Sequence, residues 1–366
     1  MKNIYVRLLD KLKEQKPLAL ATIVETKGST PQVPGASAFF SSKGLLDGTL
    51  GGGLLEADAQ REALKALKKK ASLLSEFSLK ADISEEDGAI CGGEVRILID
   101  ACPEEHKDAF RDLSQSLYKR RPGVLATFIN RISEERVSIF RHCIERKEKL
   151  AANQNEPLSF FKEEIKRAFS EGKPFFLKIK KEIFPGKAKE KFLFLEPVFP
   201  LPQLVIAGAG HIGQVVTHLG SLLDFEVTVI DDRPEFANKE KLPDADHIIV
   251  DEIGKAIQNF PVSSDAYVVI ITRGHKHDGA ALRQCITSDA AYIGLIGSIR
   301  KIKLMRKKFL EEGWATPRQF DRVCAPIGID IQSKTVEEIA VSIAAQLVLV
   351  RSQTQKERKD VKWSGP

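Results

Sequence analysis

Apolar positions along the chain follow two rhythms. From residue 203 to about 350, short apolar runs alternate with stretches whose apolar residues recur at helical spacing. "LVIAGAG", "EVTVIDD", "HIIVDE", "AYVVIIT" and "YIGLIG" are continuous enough to be strands buried on both faces. Strands alternating with helices predict a doubly wound parallel sheet over 201–350. "PIGIDI" (326–331) reads as a further strand. The helix after it starts at Thr335 and Glu338, which have capping-box spacing.

Residues 1–100 are patterned differently. A helix, a strand at "LALATIVET" (18–26) and a strand at "SAFFSS" precede a glycine turn that leads into a second helix. Two more strands follow near 76–80 and 94–100. This mixture predicts an N-terminal α+β domain. The middle, 101–200, reads as an α+β segment or insert. It holds a helix at "EEHKDAFRDLSQSLYKR", a strand pair at "GVLATFIN" and "RVSIFRH", and a hairpin of "FFLKIKKEIF" and "KFLFLEPVF" across "PGKAKE". "FPLPQ" (199–203) marks a domain boundary, and 351–366 is expected to be a frayed polar tail.

Composition narrows the class of protein. At 366 residues, two or three domains are expected. Apolar residues at 43% and charged residues at 29% are ordinary for a soluble globular protein. No apolar run approaches the roughly 18 residues of a membrane span, and the start of the chain does not read as a signal peptide. The net charge of +6 gathers visibly at 65–70 and 298–308, each read as a solvated helix face, with no nucleic-acid motif beside it. Five cysteines without CxxC spacing argue against a disulfide framework, a zinc site or an iron–sulfur cluster, and fit a reducing cytoplasm.

Candidate chemistry gathers at glycine turns. Gly208, Gly210 and Gly213 in "GAGHIG" have the G-x-G-x-x-G spacing between a strand and a helix, so the doubly wound half reads as Rossmann-like with a phosphate at the helix N-terminus. Asp231, 23 residues after Gly208, stands where an acid accepts ribose hydroxyls. A ligand-free turn cap is the alternative. Arg233 beside it leaves NAD and NADP open. His211, unusual within such a turn, is a cofactor-binding candidate, against the bland reading of a surface histidine. At the end of the fourth strand, "TRGHKHD" offers His275, His277 and Asp278 for a metal or for proton transfer, although Arg273 and Lys276 suit an anion better. In the first domain, Gly51, Gly52 and Gly53 precede a helix, as an anion site or as a sharp turn only. Cys91, before two glycines, is a candidate soft metal ligand or reactive thiol, against the reading of an inert buried residue.

These stretches together resemble the XdhC/CoxI family of maturation factors for molybdenum hydroxylases. The resemblance rests on "GSTPQVPGA", "GTLGGGLLE" and "CGGEV" in the first domain. In the second it rests on "AGAGHIG", "VIDDRPEFAN", "TRGHKHD", "YIGLIGSIRK" and "PIGIDIQSKTVEEIAVSIAAQLV". It covers about 20–100 and 203–350. It implies a chaperone that binds the molybdenum cofactor, protects it during sulfuration and inserts it into a xanthine dehydrogenase-type hydroxylase. It also implies a cysteine desulfurase as a further partner, and a cytoplasmic homodimer. Such a protein is an accessory factor rather than a catalyst, and a label of xanthine dehydrogenase would describe its partner. Carried over residue by residue, Cys91 becomes a candidate molybdenum ligand, and the turn glycines, Asp231, His275 and Asp278 become cofactor-binding. Because a molybdopterin carries metal at one end and phosphate at the other, Cys91 and the Gly208–Gly213 turn are expected to face a shared cleft, within one protomer or across a dimer. Arg273 stands where many members carry a histidine. An NAD(P)-dependent oxidoreductase built on the Rossmann half is the competing function.

Overall fold

The computed structural model describes residues 3–79, 92–145, 156–180 and 188–360. The chain forms two compact units, one of Lys2–Pro200 and one of Leu201–Lys362. The first unit contains both the N-terminal and the middle stretches.

In the first unit, α1 (Ile4–Leu12), β1 (Ala19–Lys27), β2 (Ser37–Ser41), β3 (Gly44–Gly48), α2 (Gly53–Lys69), β4 (Leu73–Ser78) and β5 (Glu94–Asp100) come first. Then follow α3 (Lys107–Tyr118), β6 (Gly123–Ser133), β7 (Arg136–Glu145), α4 (Glu156–Ser159), α5 (Lys162–Glu171), β8 (Phe175–Lys178) and β9 (Glu190–Val198). The strands make two antiparallel sheets, in the orders β3-β2-β1-β5-β4 and β7-β6-β9-β8. β3 falls between the "SAFFSS" strand and the glycine turn, where the sequence predicts no element. Its five residues are bracketed by glycines and pair with β2, too short to show an alternation of their own. The turn of the expected β8–β9 hairpin lies outside the described residues.

β1 explains why "LALATIV" is apolar without a break. Ala19, Ala21 and Ile23 pack on Leu55, Ala59, Ala63 and Ala66 of α2, whose small side chains let the helix lie close. Leu18 and Leu20, on the opposite face, pack with Tyr5, Leu8, Phe110 and Leu113 of α1 and α3. A strand covered on both faces needs no polar alternation.

The second unit contains β10 (Gln203–Ala207), α6 (His211–Leu222), β11 (Glu226–Asp231), β12 (His247–Val250), α7 (Ile253–Asn259) and β13 (Ala266–Ile270). They are followed by α8 (His275–Cys285), β14 (Tyr292–Leu295), α9 (Ile299–Glu311), α10 (Pro317–Asp321) and α11 (Val336–Asp360). Its sheet runs β12-β11-β10-β13-β14, parallel at every pairing. Val205, Ala207, Val268 and Ile270 face one helical layer, while Leu204, Ile206, Tyr267 and Val269 face the other. This is the expected Rossmann-like doubly wound sheet.

Two expectations are corrected. Residues 326–331 are not a strand; Gly328 has φ 99°, and a Cβ there would lie 2.3 Å from Ser342 Oγ. The polar groups of this segment turn to α11 instead: Ser342 Oγ donates to the Ile329 carbonyl at 2.6 Å, and Gly328 N–H donates to Gln346 at 2.9 Å. The polar stretch 351–360, expected to be frayed, continues α11 to Asp360. The reciprocal cap at its start is present: Glu338 N–H donates to Thr335 Oγ1 at 3.2 Å, and Thr335 N–H to Glu338 at 3.0 Å. None of the described helices is long and apolar enough to cross a membrane.

A buried polar group crosses the first unit. Glu196 of β9 accepts the hydroxyl of Tyr5 from α1. Burial lifts its carboxyl from the ordinary 4.5 to about 7, against the opposing pull of Tyr5 and Arg141. An acid raised on folding contributes stability that is full below its unfolded pKa and lost as pH rises through its folded one. The fold should therefore weaken between pH 4.5 and about 7. The loss is at most about 3 kcal/mol. Glu196→Gln should flatten this slope, measured as Tm against pH; an unchanged slope would show that Glu196 does not titrate in that range.

Candidate functional site

The strand order reverses between β10 and β13, so the loops that follow them diverge and leave a crevice at their C-terminal ends. The turn after β10 carries the three glycines. Gly208 has φ 122°, and a Cβ there would stand 2.4 Å from the carbonyl oxygen of Ile271. One on Gly213 would stand 2.0 Å from the oxygen of Gly208. These two glycines let the turn lie against β13 and let α6 lie on the turn. Gly210 differs: space is open before it, and as the N-cap of α6 it has no side chain of its own to bind the helix's first N–H groups. His211 is exposed at the first position of α6.

Asp231 is buried at the end of β11. Its Oδ2 accepts Ala209 N–H at 2.7 Å and Arg233 Nη2 at 2.9 Å; its Oδ1 accepts Arg233 N–H at 3.0 Å and Nε at 2.9 Å. Burial pushes this carboxyl up, but the bonds from Arg233 and Ala209 outweigh it and hold the pKa below the usual aspartate value.

The β13 loop brings cations to the same mouth. Arg273 Nη2 pairs with Asp232 Oδ2 at 2.8 Å, so this bridge spans the end of the intervening strand β10. Asp232 Oδ1 is buried without a hydrogen-bond partner. Gly274 caps α8, again with no side-chain bond, and His275 and Lys276 are exposed at its start. Asp278 is fully buried, accepting Thr272 N–H at 3.1 Å, Thr272 Oγ1 at 2.7 Å and the ammonium of Lys301. Its carboxylate holds the loop, and His275 and Asp278 do not join in a metal set. Among the described residues, no three His, Cys, Asp or Glu side chains gather to hold a metal ion. Lys301 has no local signal: it belongs to the basic run 298–308, whose Arg300, Lys303, Lys307 and Lys308 do face solvent. Only its bonds to the Asp278 carboxylate and the Ile296 carbonyl show that this lysine turns inward.

In the first unit, the glycine stretches meet at one end of the first sheet, where β1 ends and β5 begins. A Cβ on Gly93 would stand 2.3 Å from the oxygen of Ser29, and one on Gly51 would stand 2.8 Å from Pro31 Cβ. "KGSTP", "GGG" and the glycines of "CGG" are thus neighbours. Gly52 caps α2 without a side-chain bond, and the space beside Gly52 and Gly53 is open. Glu56 closes the turn by accepting Thr49 Oγ1 at 2.8 Å and Leu50 N–H at 2.9 Å. Cys91 and its expected approach to the Gly208–Gly213 turn lie outside the described residues. Of the other four thiols, burial raises Cys102 and Cys324 and pushes Cys285 up to about 12, and Cys143 is buried in the apolar core.

Residues 12–78 match the XdhC and CoxI family, and residues 204–347 match the XdhC Rossmann domain. The chain belongs to the XdhC/CoxI family. Among its relatives, a probable xanthine dehydrogenase subunit of Bacillus subtilis (strain 168) is 25% identical over 353 residues, 96% of this chain and 98% of that protein. The uncharacterized protein YqeB of Escherichia coli (strain K12) is 24% identical over 344 residues, which cover 93% of this chain but 45% of YqeB. A crystal structure described as a xanthine dehydrogenase from Bacillus halodurans shares the fold, with a TM-score of 0.68 and 23% identity over 95% of this chain and 96% of that one.

The glycine contacts separate two roles within this XdhC Rossmann turn. Gly213→Ala should lower Tm by about 5–10 °C through overpacking against the Gly208 oxygen, and Gly210→Ala by about 3 °C or less. Equal losses in thermal melts would mean that the turn relaxes as a whole.

Proposed function

We propose that the protein is an accessory factor of a xanthine dehydrogenase-type molybdenum hydroxylase. It binds the molybdenum cofactor by its phosphate end, protects it during sulfuration by a cysteine desulfurase, and delivers it to the apo-hydroxylase. The observation that carries this reading is the open front of α6. Gly210 leaves room for a phosphate before N–H groups that its own bare backbone does not cap, and Arg273 pairs with Asp232 across the end of β10. The XdhC Rossmann match and the xanthine dehydrogenase names of two relatives support the choice of partner.

The residues present fit the phosphate end of such a cofactor. The α6 N–H groups would bind the phosphate, Arg273 would exchange Asp232 for it, and the α8 N-terminus would add to the positive field. Cys91, followed in the sequence by Gly92 and Gly93, would separately be a soft donor to molybdenum. When bound, the cofactor supplies the molybdenum centre that the hydroxylase uses; this chain's part is to hold and to shield it.

Gly210→Val should weaken binding of pyrophosphate, used as a phosphate probe in isothermal titration, by at least about tenfold. Unchanged affinity would make the turn structural only. Cys91→Ser should leave the fold intact and lower the molybdenum retained by protein from a molybdenum-replete host, because a hydroxyl is a harder and far less acidic donor. Equal molybdenum content by elemental analysis would remove Cys91 from the site.

A further inference from the structure

We infer that Arg233 sets the ligand class of the Rossmann crevice by closing Asp231 against ribose, so that the crevice takes ligands anchored by a phosphate and turns nicotinamide dinucleotides away. This rests on reading the crevice as a phosphate site. A dinucleotide fold of this type uses the acid at the end of its second strand to accept the ribose hydroxyls, which requires free carboxylate lone pairs. A carboxylate has about four acceptor positions, and at Asp231 four donors fill them: the Ala209 and Arg233 N–H groups and the Nε and Nη2 of Arg233.

The closure is held from three sides. The guanidinium binds both carboxylate oxygens as a fork, a geometry more specific than a point charge would give. It also lies over the ring of Phe236, 4.1 Å from the centroid, so the side chain is stacked as well as paired. Asp231 cannot swing out to meet a ligand, because its Oδ2 also anchors Ala209 within the glycine turn. A ribose would therefore have to displace the arginine from a buried carboxylate. The guanidinium, committed to Asp231 and Phe236, is equally withheld from a 2′-phosphate. A ligand with a phosphate and no ribose diol meets none of these obstacles at the front of α6.

The test compares NADH, NADPH and pyrophosphate binding to the full chain and to Arg233→Ala, by NADH fluorescence and by calorimetry. Wild type should bind neither nicotinamide nucleotide tightly. Arg233→Ala should bind NADH at least about tenfold more tightly than wild type, with pyrophosphate affinity within about twofold. Arg233→Gln, which keeps one bond to Asp231, should lie between them, and decides by the same criterion if the alanine variant does not fold. No gain of NADH affinity in a folded variant, or wild-type binding of NADH or NADPH as tight as the variant's, overturns the inference. Absence of pyrophosphate binding in wild type would instead sink the phosphate reading, whatever NADH does.

Discussion

The C-terminal unit depends on one steric constraint: the backbone of the turn after β10 lies directly on the carbonyl of Ile271, where no side chain fits at Gly208. Because the turn is pressed onto β13, α6 starts close above the sheet, and Gly213 must be bare in its turn to lie on the Gly208 oxygen. Two glycines are thus consumed by packing. The remaining one, Gly210, leaves the helix front accessible. The front of α6 is left uncapped because its N-cap, Gly210, carries no side chain.

The charges around this turn are arranged in pairs of unlike depth. Asp231–Arg233 and Asp278–Lys301 each bury a carboxylate under a cation that is partly exposed. A buried carboxylate left alone would be costly, so the cations are obligatory partners and not spare ligands for an incoming anion. Asp232–Arg273 is the looser pair, with both side chains partly exposed. Of these three cations, Arg273 is the most exposed.

In the first unit the same principle appears with a different outcome. Sheet faces are covered on both sides, and the polar groups left inside must find partners there. Asp100 meets Arg141, whereas Glu196 meets, among the described residues, a tyrosine hydroxyl and the field of Arg141. The first carboxylate is ion-paired, and the second holds its proton to about pH 7.

The sequence by itself determined the parallel sheet, the glycine turn and the α11 cap, because each depends on near neighbours: apolar runs, G-x-G-x-x-G spacing, and a threonine three residues before a glutamate. It also carried the family resemblance, since motifs are linear. It misread 326–331 as a strand, because apolar residues alone do not reveal that Gly328 packs on Ser342 and that the backbone bonds to α11. It offered Asp231 and Asp278 as ligand groups because both carry the right atoms in the right places along the chain. Only the tertiary structure decided that those atoms are already taken, by Arg233 two residues on and by Lys301 on another helix. The physical reason is that a carboxylate's chemistry is set by its donors and its access to water, and for Asp278 the decisive donor is distant in sequence and adjacent in space.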